Sequence, residues 1–257
     1  MTRWRAGPAG LLLALALVLG PAPARAARNF QLFLDQSQLV PEGDVELETW
    51  IWSQGQIPSN TARPTTIWFW MGPVVGISSH LELQLPLQIV GVPDNAVLDT
   101  LSLVARYRIF PRQQDTGFQP LIRLEYQQPL SAYAGPPTLK ILLVGTYGGP
   151  GAVQYTANMG VQLGLPFLQS SATGDVSVLG TAGLGVSIPL AAELRISAEL
   201  DGQLPLAGEP RPNLAQLFLG PSLAWSRGPI WVTFGCLFGL TRNSNRFLPK
   251  VLWGITF

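Results

Sequence analysis

The chain has 257 residues, of which 47% are apolar and only 12% are charged, and its formal net charge is +1. Average soluble domains carry about twice that share of charged residues. The nearly balanced charge excludes the strongly basic surface of a nucleic-acid-binding protein. The single cysteine, Cys236, excludes an internal disulfide.

Residues 1–26 have the three parts of an export signal. Two arginines stand at the start, an apolar stretch runs from Leu11 to Leu19, and a small-x-small site ends at Ala26. The apolar stretch is too short for a membrane helix, which needs about 20 residues. We therefore predict a signal peptide cleaved after Ala26. The remaining chain keeps 13 of the 16 basic residues against 15 acidic ones.

Residues 27–43 follow and end in the turn-forming run Pro41-Glu42-Gly43. Phe30, Leu32 and Leu34 recur at every second position over a short stretch, which is compatible with a small strand or with a plug segment inside the domain that follows. The sequence leaves both interpretations open. We predict only a periplasmic N-terminal segment here.

From residue 44 to residue 257, segments of about ten residues alternate apolar with polar or small side chains, and turn residues separate them. In the clearest segment Leu81, Leu83, Leu85 and Leu87 alternate with polar residues and proline. Period-two spacing places the leucines on one face of a strand. Twelve such segments are predicted, at 44–53, 64–73, 76–88, 97–110, 118–128, 138–148, 152–163, 174–188, 192–202, 214–226, 229–241 and 248–257.

These segments predict a transmembrane barrel. After the predicted signal no run of 18 apolar residues occurs, and a closed barrel is the other architecture that satisfies every backbone polar group in hydrocarbon. The connections also alternate between short and long, as they do in outer-membrane barrels. The predicted fold class is all-β, a single antiparallel transmembrane β-barrel of about 12 strands, with a range of roughly 10–14.

The last segment carries the most specific motif. Val251, Trp253, Ile255 and Phe257 share one face, and the sequence ends on phenylalanine. This resembles the terminal strand by which bacterial outer-membrane β-barrel proteins are recognised for assembly, over about ten residues. The resemblance implies a porin-like protein of the outer membrane, with lipid as a partner and with Trp253, Ile255 and Phe257 read by the barrel-assembly machinery.

Strand parity assigns a polar set to the barrel interior. The candidate lumen-lining residues are Glu46, Glu48, His80, Glu82, Arg106, Arg108, Arg123, Glu125, Lys140, Glu193, Arg195, Glu199, Asp201 and Lys250. Buried charges are costly unless they are paired or hydrated. These residues therefore either line a water-filled pore and select solutes, or pair across the lumen and seal it.

Catalytic chemistry finds little support in the sequence. His80 is the single histidine, and Ser78 precedes it by two residues on the same predicted strand. No nucleophile elbow, metal-ligand cluster or phosphate-binding loop accompanies them. We expect no enzyme activity, cofactor or metal. The expected function is passive movement of small solutes or ions through a narrow channel, with a sealed structural or interaction barrel and an outer-membrane hydrolase as alternatives.

Overall fold

The structure is a computed structural model that describes residues 31–55, 66–92, 95–110, 117–131, 134–149, 151–168, 175–208 and 215–257. The predicted signal peptide lies outside the described residues, as do residues 27–30 of the N-terminal segment. In the described part of the chain, no helix has the length and hydrophobicity required to cross a membrane.

The described residues form one antiparallel sheet that closes on itself. Consecutive strands pair with each other, except the third with the fourth, and the first strand also pairs with the last over Glu46–Trp52 and Lys250–Thr256. The strands are β1 (Val45–Gln54), β2 (Thr66–Gly76), β3 (Leu81–Gln84), β4 (Leu87–Val92), β5 (Asn95–Arg108), β6 (Phe118–Pro129), β7 (Thr138–Tyr147), β8 (Gln154–Gly164), β9 (Ser177–Ala191), β10 (Leu194–Ala207), β11 (Gln216–Arg227), β12 (Ile230–Gly239) and β13 (Phe247–Thr256).

The barrel has 12 positions around its wall, because β3 and β4 share one of them. Both strands pair with β2 on one side and with β5 on the other. Leu85 and Pro86 interrupt this position, since proline has no N–H to donate to the ladder. The prediction of a single antiparallel barrel of about 12 strands is confirmed.

The boundary between the second and third predicted segments is wrong. The sequence analysis ended the second strand at residue 73 and began the third at residue 76, but β2 runs to Gly76 and a turn occupies residues 77–80. The Ser78 hydroxyl accepts hydrogen bonds from the backbone N–H groups of His80 and Leu81. Serine stabilises such turns locally, whereas Val74 and Val75 before it continue the strand.

The two ends of the barrel differ. We call the end where β1 begins and β13 ends the turn end, because two-residue turns join β9 to β10 and β11 to β12 there. The opposite end is the loop end, where most connections are longer, although only residues 93–94 join β4 to β5. The alternation that the sequence predicts therefore holds for most connections.

The outward face of the wall is apolar. Leu143 and Met159 lie opposite each other on β7 and β8, and their exposed fractions are 52% and 63%. Exposed aromatic side chains lie at both ends, with Tyr147 and Tyr155 at the turn end and Phe238 at the loop end. An apolar belt between aromatic rims is the surface that transmembrane barrels present to lipid.

A charge placed in the middle of this belt should destabilise the barrel. We expect Met159→Arg to lower the free energy of unfolding by about 2–4 kcal/mol, because the guanidinium would lie in hydrocarbon. The matched variant Leu206→Arg, near the loop-end rim of β10, should cost about 0–1 kcal/mol. Denaturant unfolding in lipid vesicles measures both values, and equal losses at the two positions would contradict the assigned belt.

Candidate functional site

Residues 31–40 run inside the barrel and residues 41–44 turn into β1. We call residues 31–44 the lumen segment. Leu32, Gln36, Ser37 and Val40 are each at most 2% exposed. The segment joins the wall through a turn in which the Asp44 N–H donates to the Pro41 carbonyl at 3.0 Å. Gly43 adopts a φ of 82° in this turn, a conformation that glycine reaches without steric cost. The lumen segment therefore fills part of the interior that the wall strands enclose.

Glu199 of β10 holds the beginning of the lumen segment. Its carboxylate accepts backbone N–H bonds from Leu32 at 2.7 Å, Phe33 at 2.8 Å and Leu34 at 3.3 Å. It also accepts a hydrogen bond from the Ser222 hydroxyl at 2.9 Å. Hydrogen bonds to a charged group are roughly twice as strong as neutral ones. Glu199 is thus the main anchor for residues 32–34.

Arg123 of β6 holds the middle of the lumen segment. It forms ion pairs with Asp35 at 3.0 Å and with Glu125 at 2.7 Å. Burial alone would raise the pKa of Asp35, but the cations facing it, with Arg123 first and then Arg106 and Lys140, hold that pKa below its usual value. Asp35 therefore stays ionised as the partner of Arg123.

The end of the lumen segment is bound by β3 and β5. Glu82 pairs with Arg106 at 2.9 Å and accepts the Val40 N–H at 2.7 Å. Arg106 also donates to the Gln36 carbonyl, and Arg108 donates to the Ser37 carbonyl at 3.1 Å. The wall charges in this region bind the backbone of the lumen segment directly.

Small residues in the wall make room for the lumen segment. The inward face of β9 carries Gly183 and Gly185, and a Cβ at either position would collide with the Leu34 side chain. Leu32 packs on the opposite side in a buried cluster with Trp231 and Leu252. The glycine-rich sequence of β9 is therefore the complement of the apolar side chains of the lumen segment.

Most of the candidate lumen-lining residues lie in the barrel interior and differ in their partners. Six contact the lumen segment, namely Glu82, Arg106, Arg108, Arg123, Glu199 and Lys250, and Glu125 pairs with Arg123. Glu46 accepts from Trp231 at 3.0 Å, and Glu48 accepts from Trp50 at 2.6 Å. Arg195 donates to the Ala152 carbonyl at 2.8 Å near the turn end.

Two predicted lumen residues lie elsewhere. His80 belongs to the turn at residues 77–80, where its ring stacks on the outward Tyr107 and its Nδ1 lies 2.8 Å from the Arg108 carbonyl oxygen. Glu193 belongs to the turn between β9 and β10, where it is half-exposed and lies 3.6 Å from Arg227. Both predictions extended strand parity into residues that form turns, so the inward assignment failed at these two positions.

The sequence analysis left open whether residues 27–43 enter the barrel, and it assigned none of them to the site. Asp35 was not assigned to the lumen, although it pairs with Arg123. Strand parity could not find it because residues 31–44 contain no strand. Two signals were available in the sequence. The apolar side chains of Leu32 and Leu34 indicate a segment that is partly buried, and the turn sequence ending in Gly43 indicates that the chain reverses direction before β1.

A cavity of about 280 Å³ lies beside residues 31–35 of the lumen segment. Its wall comes from the loop-end halves of several strands and includes Trp50, Trp52, Lys140, Asp201 and Lys250. Among the described residues no group of His, Cys, Asp and Glu side chains is arranged to hold a metal ion. The groups at this cavity can instead form hydrogen bonds, ion pairs and ring contacts with a small solute.

The similarity of this chain to known proteins is low in both sequence and structure. No protein-family model matches the chain, and no curated protein matches its sequence. The translocator domain of autotransporter NalP from Neisseria meningitidis has 13% identity and a TM-score of 0.48, with 85% of this chain and 89% of that one covered. The β domain of the Bordetella autotransporter BrkA has 13% identity and a TM-score of 0.49, with coverage of 83% and 99%.

A porin has 8% identity and a TM-score of 0.38, with 83% of this chain and all 100% of that chain covered. Identities of this size carry no information about shared residues or activity. The assignment of a transmembrane β-barrel rests on features of this chain, which are its closed hydrogen-bond ladder and its apolar outward belt.

Removal of the Glu199 carboxylate should release the beginning of the lumen segment. We expect Glu199→Ala to weaken its docking by at least about 2 kcal/mol, because three buried N–H groups lose their acceptor. That loss corresponds to roughly 30-fold faster hydrogen exchange at residues 32–34, measured by NMR in detergent micelles. The control Glu193→Ala removes an exposed ion pair and should leave exchange at those amides unchanged. Unchanged exchange in Glu199→Ala would contradict the anchoring role.

Proposed function

We propose that the protein is a narrow passive channel for small ions or solutes in the outer membrane and that it performs no catalysis. The barrel supplies a continuous wall, and its inward side chains are mainly polar or charged. The lumen segment narrows the interior at the turn end. Selectivity in such a channel comes from the width of the path and from the charges beside it.

The observation that carries this proposal is a set of buried polar atoms without protein partners. They include the side-chain amides of Gln31 and Gln154, the Nε atoms of Arg106 and Arg123, and the Thr156 hydroxyl. Buried polar atoms are hydrogen-bonded in native proteins, with ordered water where protein groups are absent. Unsatisfied atoms on both the wall and the lumen segment support a hydrated path between them.

A second candidate function is a sealed barrel that acts through its surface. The many polar contacts of the lumen segment favour this function, because the charged groups of Glu199, Arg123 and Glu82 are all hydrogen-bonded or ion-paired to this segment. The hydrolase alternative has less support. His80 contacts Tyr107 and the Arg108 carbonyl, and the Ser78 hydroxyl is engaged in the turn.

We also propose that the barrel-assembly machinery recognises β13. Trp253 and Ile255 of this strand, and Phe257 directly after it, alternate with inward residues, and Phe257 is 74% exposed. The same strand pairs with β12 and β1 and so completes the barrel. The outward row of these three side chains supports recognition of the strand before closure.

Conductance in planar lipid bilayers tests the channel. The refolded wild-type barrel should give small, regular current steps. Deletion of residues 31–39 should increase the step size several-fold, because it removes the constriction from the lumen. Glu193→Ala, which changes a rim residue outside the lumen, should leave the steps unchanged.

The outcomes separate the two candidate functions. If the wild type gives no current in several salts while the deletion variant conducts, the native barrel is sealed by the lumen segment. Both proteins may show the heat-dependent gel mobility of a folded barrel and still fail to conduct. In that case the barrel has no open path even without residues 31–39, and the channel proposal is wrong. A conducting wild type with a larger step in the deletion variant supports the channel.

A further inference from the structure

The cavity beside the lumen segment combines flat aromatic surfaces with cations. Trp50 and Trp52 of β1 form part of its wall, and each is backed by a tryptophan of β2. Trp50 stacks on Trp70 with ring centroids 4.2 Å apart, and Trp52 stacks on Trp68 at 5.8 Å. The four rings support one another, so the wall offers a preorganised apolar surface to a ring-shaped ligand.

Lys250 places a buried positive charge against this surface. It is 8% exposed, and its ammonium lies 4.2 Å from the Trp50 ring centroid and 4.7 Å from that of Phe33. It donates one hydrogen bond, at 2.6 Å, to the Leu32 carbonyl. An ammonium has three donors, so the site retains donor capacity for an anionic ligand group. Lys140 adds a second ammonium to the cavity wall.

Polar atoms without partners provide an independent indication of a ligand. Both amide atoms of Gln31, the Arg123 Nε and the Thr181 hydroxyl are buried and unsatisfied, and all three residues line this cavity. Gln31 is 1% exposed and offers a donor and an acceptor together. A ligand with several hydroxyl groups can satisfy such a set, whereas a plain hydrocarbon ring cannot.

The two lysines of the cavity outnumber the one carboxylate that remains for them. Arg123 is already paired with Asp35 and with Glu125, which leaves Lys140 and Lys250 facing Asp201. Asp201 is then the remaining carboxylate, and it can accept hydrogen bonds from hydroxyl groups of a ligand, while the two lysines can bind its acid group.

We infer that this cavity binds an acidic monosaccharide, a sugar ring with one carboxylate. The ring would pack its C–H face on Trp52, the carboxylate would bind Lys250 and Lys140, and the hydroxyls would bind Gln31, Thr181 and Asp201. A volume of about 280 Å³ suits a single ring, since it lies just below the range of drug-sized sites. The inference rests on the proposed function, because it names the solute class that would pass through or dwell in the channel.

Binding measurements on the refolded barrel test this inference without relying on current. The probes are glucuronate, glucose, acetate and benzoate, titrated in detergent micelles with tryptophan fluorescence and calorimetry as readouts. Glucuronate should bind in a saturable way and at least about tenfold more tightly than the other three. Only glucuronate combines the acid group, the ring and the hydroxyls, and a tenfold ratio corresponds to about 1.4 kcal/mol.

Variants locate the binding in the cavity. Lys250→Met keeps the apolar stem and removes the charge, and Trp52→Leu removes the flat face, so each should weaken glucuronate binding at least about tenfold. The control Arg227→Ala changes a half-exposed rim residue and should leave the affinity unchanged. The comparison of the four probes on the wild type does not depend on the folding of any variant.

Each outcome decides the inference. Equal binding of glucose and glucuronate, or full affinity in Lys250→Met, would overturn the role of the acid group. Tighter binding of benzoate than of glucuronate would overturn the sugar assignment. No binding in a barrel that conducts would reject this inference alone, whereas glucuronate binding in a barrel without current would reject the channel and leave the binding site.

Discussion

Closure of the backbone hydrogen-bond ladder is the constraint on which the rest of this structure depends. Hydrocarbon offers no partner to an unpaired N–H or C=O group, so a strand edge cannot face lipid. Here β1 and β13 pair over Glu46–Trp52 and Lys250–Thr256 and leave no edge. Once the sheet is closed, alternate side chains must face either lipid or the interior. The apolar belt and the polar lumen are consequences of that single geometric requirement.

A polar interior creates a second requirement, since charges removed from water need partners. The lumen segment supplies many of them through its backbone. Its N–H groups bind Glu199 and Glu82, and its carbonyl groups bind Arg106, Arg108 and Lys250. Wall and segment are therefore mutually dependent. The segment is held mainly by polar bonds and by a few apolar side chains, an arrangement suited to a structure that occupies a hydrated lumen.

The two halves of the lumen serve different roles in this arrangement. At the turn end, residues 35–44 contact β3, β5, β6 and β7, and the wall charges are engaged with the segment. Towards the loop end, the cavity with its tryptophans and lysines lies beside residues 31–35. Small side chains on β9 position the segment between these two halves, because Gly183 and Gly185 admit Leu34 at mid-depth.

The sequence alone determined the strand count, the closed antiparallel fold and the outward face, because a period of two is a local property that each segment displays by itself. The positions of the turns were harder to predict, so the sequence analysis assigned His80 and Glu193 to strands. Only the tertiary structure decided that residues 31–44 enter the lumen and which charges they engage. Glu199 lies 167 residues from Leu32, and Lys250 lies 218 residues from it. Such pairings depend on how the sheet closes, which no local pattern records.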